Sequence, residues 1–285
     1  MTSPELAPAA QFAPRSTVSR LMGLVLLALL PGVIAQARLT GQGLGRQLLI
    51  AVAFGLGFEA LMLVLRGRPL RPFLGDLSAP LTAILLALLL PAPAPWWMLA
   101  TGTFVALALA KHAFGGLGYN LFNPAMAGYA VLLVLFSEYL APTDIEGQGV
   151  TSAGIALLYA LGGVFLIVKK VIPWQTPAAM LGGAALAGLI LGVARQGALE
   201  IHLQDVFSVS LVFAAVFIVT DPVTGCLSTR GRIYFGAGAG VLTVVLSRAG
   251  GVADGLPFAV LLMNCAAPWL DSRTRPVRGH ASTQA

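Results

Sequence analysis

Apolar runs recur along this chain from near residue 20 to near residue 270, separated by short stretches rich in Gly, Pro and Arg. Hydrocarbon about 30 Å thick asks for about 20 mostly apolar residues per crossing helix. Ten such runs stand near 20–37, 47–65, 77–92, 96–113, 123–140, 152–168, 176–194, 205–220, 233–248 and 255–270. Only 10% of the 285 residues are charged and the mean hydropathy is +0.88, whereas soluble domains carry roughly 25% charged residues. The predicted fold class is an all-α polytopic membrane protein of about ten transmembrane helices. Several runs are short for a span, so tilted or re-entrant segments are expected. The first run lacks a small-residue cleavage pattern and reads as a retained anchor.

Basic residues orient the chain. With these spans, Arg38, Arg46, Arg195 and Arg248 are the only ones of 17 Lys and Arg on one side. The rest, including Arg66, Lys111, Lys169 and Arg230, fall on the other, and that bias puts both termini in the cytoplasm. The net charge of +6 thus reflects topology, and basic residues scattered over short loops do not make a nucleic-acid patch. Two cysteines without CxxC spacing, Cys226 and Cys265, cannot alone hold an iron–sulfur cluster or structural zinc.

Polar groups inside or beside the apolar runs are the candidate functional residues, because an ionised side chain in lipid must face protein, water or a cation. Glu59 lies in Phe58-Glu59-Ala60-Leu61, read either as a bonded structural acid or as part of an ion pathway. Thr220-Asp221-Pro222-Val223-Thr224-Gly225 breaks an apolar run. Proline removes a backbone donor there and disfavours helix for the residue before it, so this stretch is either a turn capped by Asp221 or a cluster of cation-binding oxygens. Asp271 stands at the same boundary, available to pair with an Arg or to line the same route. The run Gly115-Gly116-Leu117-Gly118-Tyr119-Asn120-Leu121-Phe122-Asn123-Pro124 sets Asn123 as an N-cap and Pro124 in the first helical turn. A helix start at membrane depth is tolerated only where it is buried in protein or lines a cavity, which makes it a candidate site. His112, beside Lys111, reads as interfacial.

A faint echo links the halves: Gly115-Gly116 before Phe122 and an apolar helix, Gly250-Gly251 before Phe258 and another. Five spans per half would place equivalent elements in opposite orientation, an inverted repeat. The expected organisation is a cytoplasmic tail over 1–19, a transmembrane domain over 20–276 with repeats near 20–140 and 152–270 joined by a short external loop 141–151, and a cytoplasmic tail over 277–285.

Phe122-Asn123-Pro124-Ala125-Met126, Thr220-Asp221-Pro222-Val223 with Arg230-Gly231-Arg232, and Asp254-Gly255 with Phe258-Ala259-Val260 resemble the RnfD family, the D subunits of Rnf electron-transport complexes, and its relative, the B subunit of sodium-translocating NADH:quinone oxidoreductases. The resemblance spans about Ser19 to Pro276. It implies a ten-helix inverted-repeat subunit of a multi-subunit redox pump in the bacterial inner membrane, partnered by other membrane, flavoprotein and iron–sulfur subunits and moving Na⁺ or H⁺. It further implies FMN joined to a threonine in a Ser-x-Ala-Thr-like motif. The nearest match is Thr151-Ser152-Ala153-Gly154, whose acceptor position is Gly154. Covalent FMN is therefore expected to be absent or shifted to Thr151 or Ser152, and a non-covalent flavin stays open. Glu59, Asp221 and Asp271, with Asn123, Thr220 and Thr224 as neutral ligands, are the expected ion-pathway residues, since hard cations favour oxygen donors. Two other classes compete with a pump subunit: a stand-alone channel or secondary transporter, and a scaffold that has lost its flavin.

Overall fold

The computed structural model describes residues 15–140, 149–196, 208–249 and 254–274. Outside them lie residues 1–14 of the expected leader, 141–148 of the expected external loop, Glu200, His202 and Asp205, the Gly250-Gly251 pair and the tail over 277–285. The described residues are helical, with no strand among them.

Helices α1 (Arg15–Thr40) and α2 (Gln42–Leu65) form a hairpin about Gly41, whose φ of +68° suits a residue without a Cβ. Thr17–Thr40, Gln42–Leu65 and Gln175–Val193 are long and apolar enough to cross a membrane. Their outward side chains are themselves apolar: Leu49 is 75% exposed and Val64 62%. A surface like that suits hydrocarbon, in which Leu meets surroundings as apolar as itself.

After the short α3 (Leu70–Leu74), α4 covers only Ser78–Leu89. At 1.5 Å per residue its length is about 18 Å, too short for the hydrocarbon core. It stops where Leu90 turns extended before Pro91. Backbone groups at that end bond to Gln47 of α2, buried at 2% exposure: its Nε2 donates to Ala87 O at 2.8 Å and Leu90 O at 3.3 Å, and its Oε1 accepts from Ala94 N at 2.7 Å. An apolar residue at 47 would leave Leu90 O and Ala94 N without these partners.

Helix α5 (Trp96–Phe104) runs into a π-helical stretch, Val105–His112, and α6 (Pro124–Phe136) follows a glycine loop. Helices α5 and α6 touch closely at Gly128, where a Cβ would fall 2.5 Å from Gly102 O. In the second half, α7 (Gly149–Val168) and α8 (Gln175–Gln196) precede α9 (Val209–Phe213), itself continued by a π-helical stretch, Ala214–Ile218. Ser208 caps α9 by accepting from Leu211 N at 3.3 Å. Helices α10 (Thr229–Ala249) and α11 (Leu256–Thr274) close the described chain. Helix α10 lies against α8 through Gly183, Gly236 and Gly240, where any side chain would strike Ala237, Thr176 or Met180. Small residues at such a crossing let backbones approach, the main source of helix association in lipid.

Candidate functional site

Helix α11 fixes where the site sits along the fold. Asn264 lies eight residues from its first residue and ten from its last, about 12 Å and 15 Å along the axis. Its side chain, 1% exposed, bonds to both halves of the chain. Oδ1 accepts from Asn123 N at 2.9 Å, and Nδ2 donates to Thr224 O at 3.1 Å. Asn123 meanwhile caps α6, its Oδ1 accepting from Met126 N at 3.1 Å, and reaches across the fold with Nδ2 to Ile218 O at 3.4 Å. Two interruptions of helix, one before α6 and one after the π-helical end of α9, thus meet near the middle of α11. Burial explains the amides: backbone groups freed by a chain break away from water need protein partners.

Asp221 opens the second interruption. Its Oδ1 accepts from Val223 N and its Oδ2 from Thr224 Oγ1, both at 3.0 Å. It is half-buried and has no ion-pair partner among the described residues. Each oxygen keeps an acceptor site, since an ionised carboxylate accepts about four hydrogen bonds. Thr220 and Thr224 are buried beside it, Thr220 Oγ1 donating back to Val216 O. From Thr224 the chain climbs along α11: Cys226 Sγ lies 3.6 Å from Ala267 O, then Leu227 N and Ser228 N donate to Asp271 at 2.8 and 2.9 Å. The Asp271 carboxylate thereby pins the start of α10.

Of the expected ion-pathway residues, the structure brings Asn123, Asp221, Thr220 and Thr224 together and holds Asp271 further along the same loop. Glu59 is elsewhere. It is 1% exposed on α2, and Lys111 Nζ donates to its Oε1 and Oε2, each at 2.9 Å, and to Ser78 Oγ at 2.8 Å. Ser78 Oγ and Ser78 N donate in turn to Asp76 Oδ1, at 2.6 and 2.8 Å. His112 is buried at 5%, with Nδ1 3.3 Å from Arg66 Nη1 and Nε2 3.0 Å from Glu59 Oε2. His112, expected at the interface, is thus packed within the protein, and Lys111, counted above with the loop cations, is 2% exposed. The π-helical stretch carrying both residues places them under the protein surface.

Sequence reasoning missed Asn264, Gln47 and the Lys111 pairing. A lone amide within Leu261-Leu262-Met263-Asn264 was the available signal for the first, because a polar residue in an apolar helix must find a partner. Nothing local to Glu59 marks a partner 52 positions away.

The flavin expected from the resemblance does not fit its usual attachment. Gly154, on the exposed side of α7, has no hydroxyl, and a Cβ built there meets nothing within 4 Å. Space is available and the nucleophile is missing. The Thr151 side chain lies outside the described residues, and Ser152 is half-buried.

The family described as NQR2, RnfD, RnfE matches residues 6–153 and 142–279. The D subunit of the ion-translocating oxidoreductase complex of Aeromonas hydrophila is 38% identical, covering 92% of this chain and 94% of its own. Its Pseudomonas aeruginosa counterpart is 39% identical over 93% of this chain and 92% of its own, and that of Ectopseudomonas mendocina 36% over 88% and 89%. The alignment with the Aeromonas protein runs to 330 positions against 285 residues here, so that relative holds residues inside the matched span that this chain lacks.

Proposed function

Since this chain belongs to the NQR2, RnfD, RnfE family, we propose that it is the membrane subunit of a complex coupling electron transfer to movement of Na⁺ or H⁺ across the bacterial inner membrane. It works only with its partners: further membrane subunits and the flavoprotein and iron–sulfur subunits that deliver electrons. The chain crosses the bilayer as ten helices in two inverted five-helix repeats with both termini in the cytoplasm. Two matches of the family, meeting at residues 142–153, support a division at that point.

The observation that carries the reading is the junction at Asn264, where both interruptions meet beside an acid that has no counter-cation among the described residues. Asp221 binds the migrating cation, with Thr220 and Thr224 hydroxyls as neutral ligands. Asn123 is spent on its cap and on Ile218 O, so it positions the break. Asp271, spent on Leu227 and Ser228 amides, holds the loop at its cytoplasmic end. FMN is not esterified at Gly154, and electrons reach this subunit through a non-covalent flavin or a flavin of a partner. That same glycine favours a second reading, a scaffold that has lost its flavin.

Redox-driven ion uptake by sealed vesicles carrying the complete complex separates the readings. Asp221→Asn is expected to assemble at wild-type level and to lose more than about tenfold in uptake, equivalent to at least 1.4 kcal/mol in the barrier. Undiminished uptake rejects the role of Asp221. A wild-type complex in which this chain is needed for assembly but electron transfer drives no ion movement would support the scaffold instead.

A further inference from the structure

Near the start of α2, Arg46 and Ile50 line a half-open cavity of about 210 Å³ closed on its other side by the loop Pro93-Ala94-Pro95. Gln47 lines it too, but its amide is already engaged by Ala87 O, Leu90 O and Ala94 N. Among the lining residues only Arg46 carries a charge. It is exposed and has no ion-pair partner among the described residues. Further along α2, Ile50, Phe54 and Phe58 follow at intervals of four and so share one helix face with Arg46. Trp96, 60% exposed at the start of α5, stacks on Phe54 with ring centroids 6.4 Å apart. Phe54 stacks on Phe58 at 6.0 Å, and Phe104, 41% exposed, meets Phe58 edge-on at 5.4 Å. A cationic cavity thus opens onto a row of aromatic rings along the seam of α2 and α5. We propose that this seam binds one anionic glycerophospholipid, its phosphate on Arg46 in the cavity and an acyl chain along Ile50, Phe54, Phe58 and Phe104.

Position, charge and size select this occupant. The 24 residues of α2 make a helix about 36 Å long, against hydrocarbon about 30 Å thick. Arg46 is the fifth residue, about 6 Å from the first. A crossing that keeps the apolar remainder of α2 in hydrocarbon therefore holds the guanidinium at the headgroup edge, with its stem along the helix. Trp96 directly follows Pro95 of the cavity wall and supplies the kind of ring that sits at that level. A guanidinium presents a planar fork that matches phosphate with two parallel hydrogen bonds. An anionic head is accordingly preferred to one that brings its own ammonium. Ligands of drug size fill about 300 Å³ or more, so this cavity takes a phosphodiester and little else. The rest of the molecule has to continue along the surface, where the aromatic row lies. A free phosphate has no use for that row.

The test labels the complete complex with phosphatidylglycerol carrying a diazirine in one acyl chain, and in parallel with phosphatidylcholine of identical chains. Adducts are located by peptide mass spectrometry. Peptides containing Phe54, Phe58 or Phe104 should take up phosphatidylglycerol about fivefold over phosphatidylcholine, the preference expected of one basic residue at a lipid surface. Arg46→Gln should bring that ratio to about one, while Arg46→Lys keeps it above one. Inorganic phosphate in excess should not displace the label. Equal labelling by the two lipids in wild type, or a ratio unchanged in Arg46→Gln, overturns the proposal. Loss of label to inorganic phosphate also overturns it, in favour of a free-anion site. Absence of label from these peptides does the same, in favour of another subunit covering the seam. The wild-type comparison needs no variant to assemble. No arm involves electron transfer or ion movement, so the result stands apart from uptake by Asp221→Asn.

Discussion

Two acids placed among the apolar runs of the same chain are handled in opposite ways. Glu59 is enclosed by Lys111, Ser78 and His112 and receives a charge of the opposite sign. Asp221 receives one amide and one hydroxyl, and no cation among the described residues. The first arrangement satisfies itself, while the second leaves lone pairs available to something that arrives. The difference teaches that an acid inside an apolar run is not by itself a sign of ion passage: what distinguishes the two is the set of groups brought from other helices.

Removing one partner from the enclosed pair should have the largest effect. Lys111→Ala leaves the buried Glu59 carboxylate without its ammonium, with only the His112 ring beside it, and the loss in unfolding free energy is expected to be about 3–5 kcal/mol. Thermal unfolding of the solubilised complex checks this, and Glu59→Gln with Lys111→Met should recover most of the loss. A small effect of the single change would erase the contrast between the two acids.

The junction at Asn264 should be next. Asn264→Leu, similar in size, strips the partners from Asn123 N and Thr224 O. Each buried group left unpaired costs about 1–3 kcal/mol. The same unfolding experiment should place this variant below wild type. Its signature is a combined loss of stability and redox-driven ion uptake, whereas Gln47→Leu, which unsatisfies the end of α4, is expected to lower stability without acting on Asp221.

Gly154→Thr should have the smallest effect. Open space around the missing Cβ and an exposed helical position predict a stability change within about 0.5 kcal/mol. Wild-type polypeptide should show no flavin fluorescence in a denaturing gel. A fluorescent wild-type band that disappears in Thr151→Ala would instead locate a shifted attachment.

Much of the architecture was legible because it is written locally. Apolar runs gave the helices, and Asn123-Pro124 gave the start of α6. Several runs read as short for a span, but nothing in them told that Asn264 would sew the breaks before α6 and after α9 together. Pairings such as Glu59 with Lys111, or Asp271 with the amides of Leu227 and Ser228, join residues more than 40 positions apart. No local pattern specifies which helix faces which. The π-helical stretches were equally hidden, since Val105–His112 reads as an ordinary apolar helix and only its packing turns Lys111 and His112 inward. Gly154 was readable as a missing nucleophile, but the space around it was not.

The central claim is that the interruption at 220–224 faces a path a hydrated cation can enter while the Glu59 cage is closed. It is tested most directly by cysteine accessibility in sealed vesicles of the complete complex, with Cys226 and Cys265 replaced by alanine. The account predicts that Thr224→Cys reacts with a small cationic thiol reagent and is slowed by the transported ion, while Leu63→Cys, on the α2 face that carries Glu59, stays unreactive. A Thr224→Cys complex that still pumps but resists the reagent from both sides would contradict it.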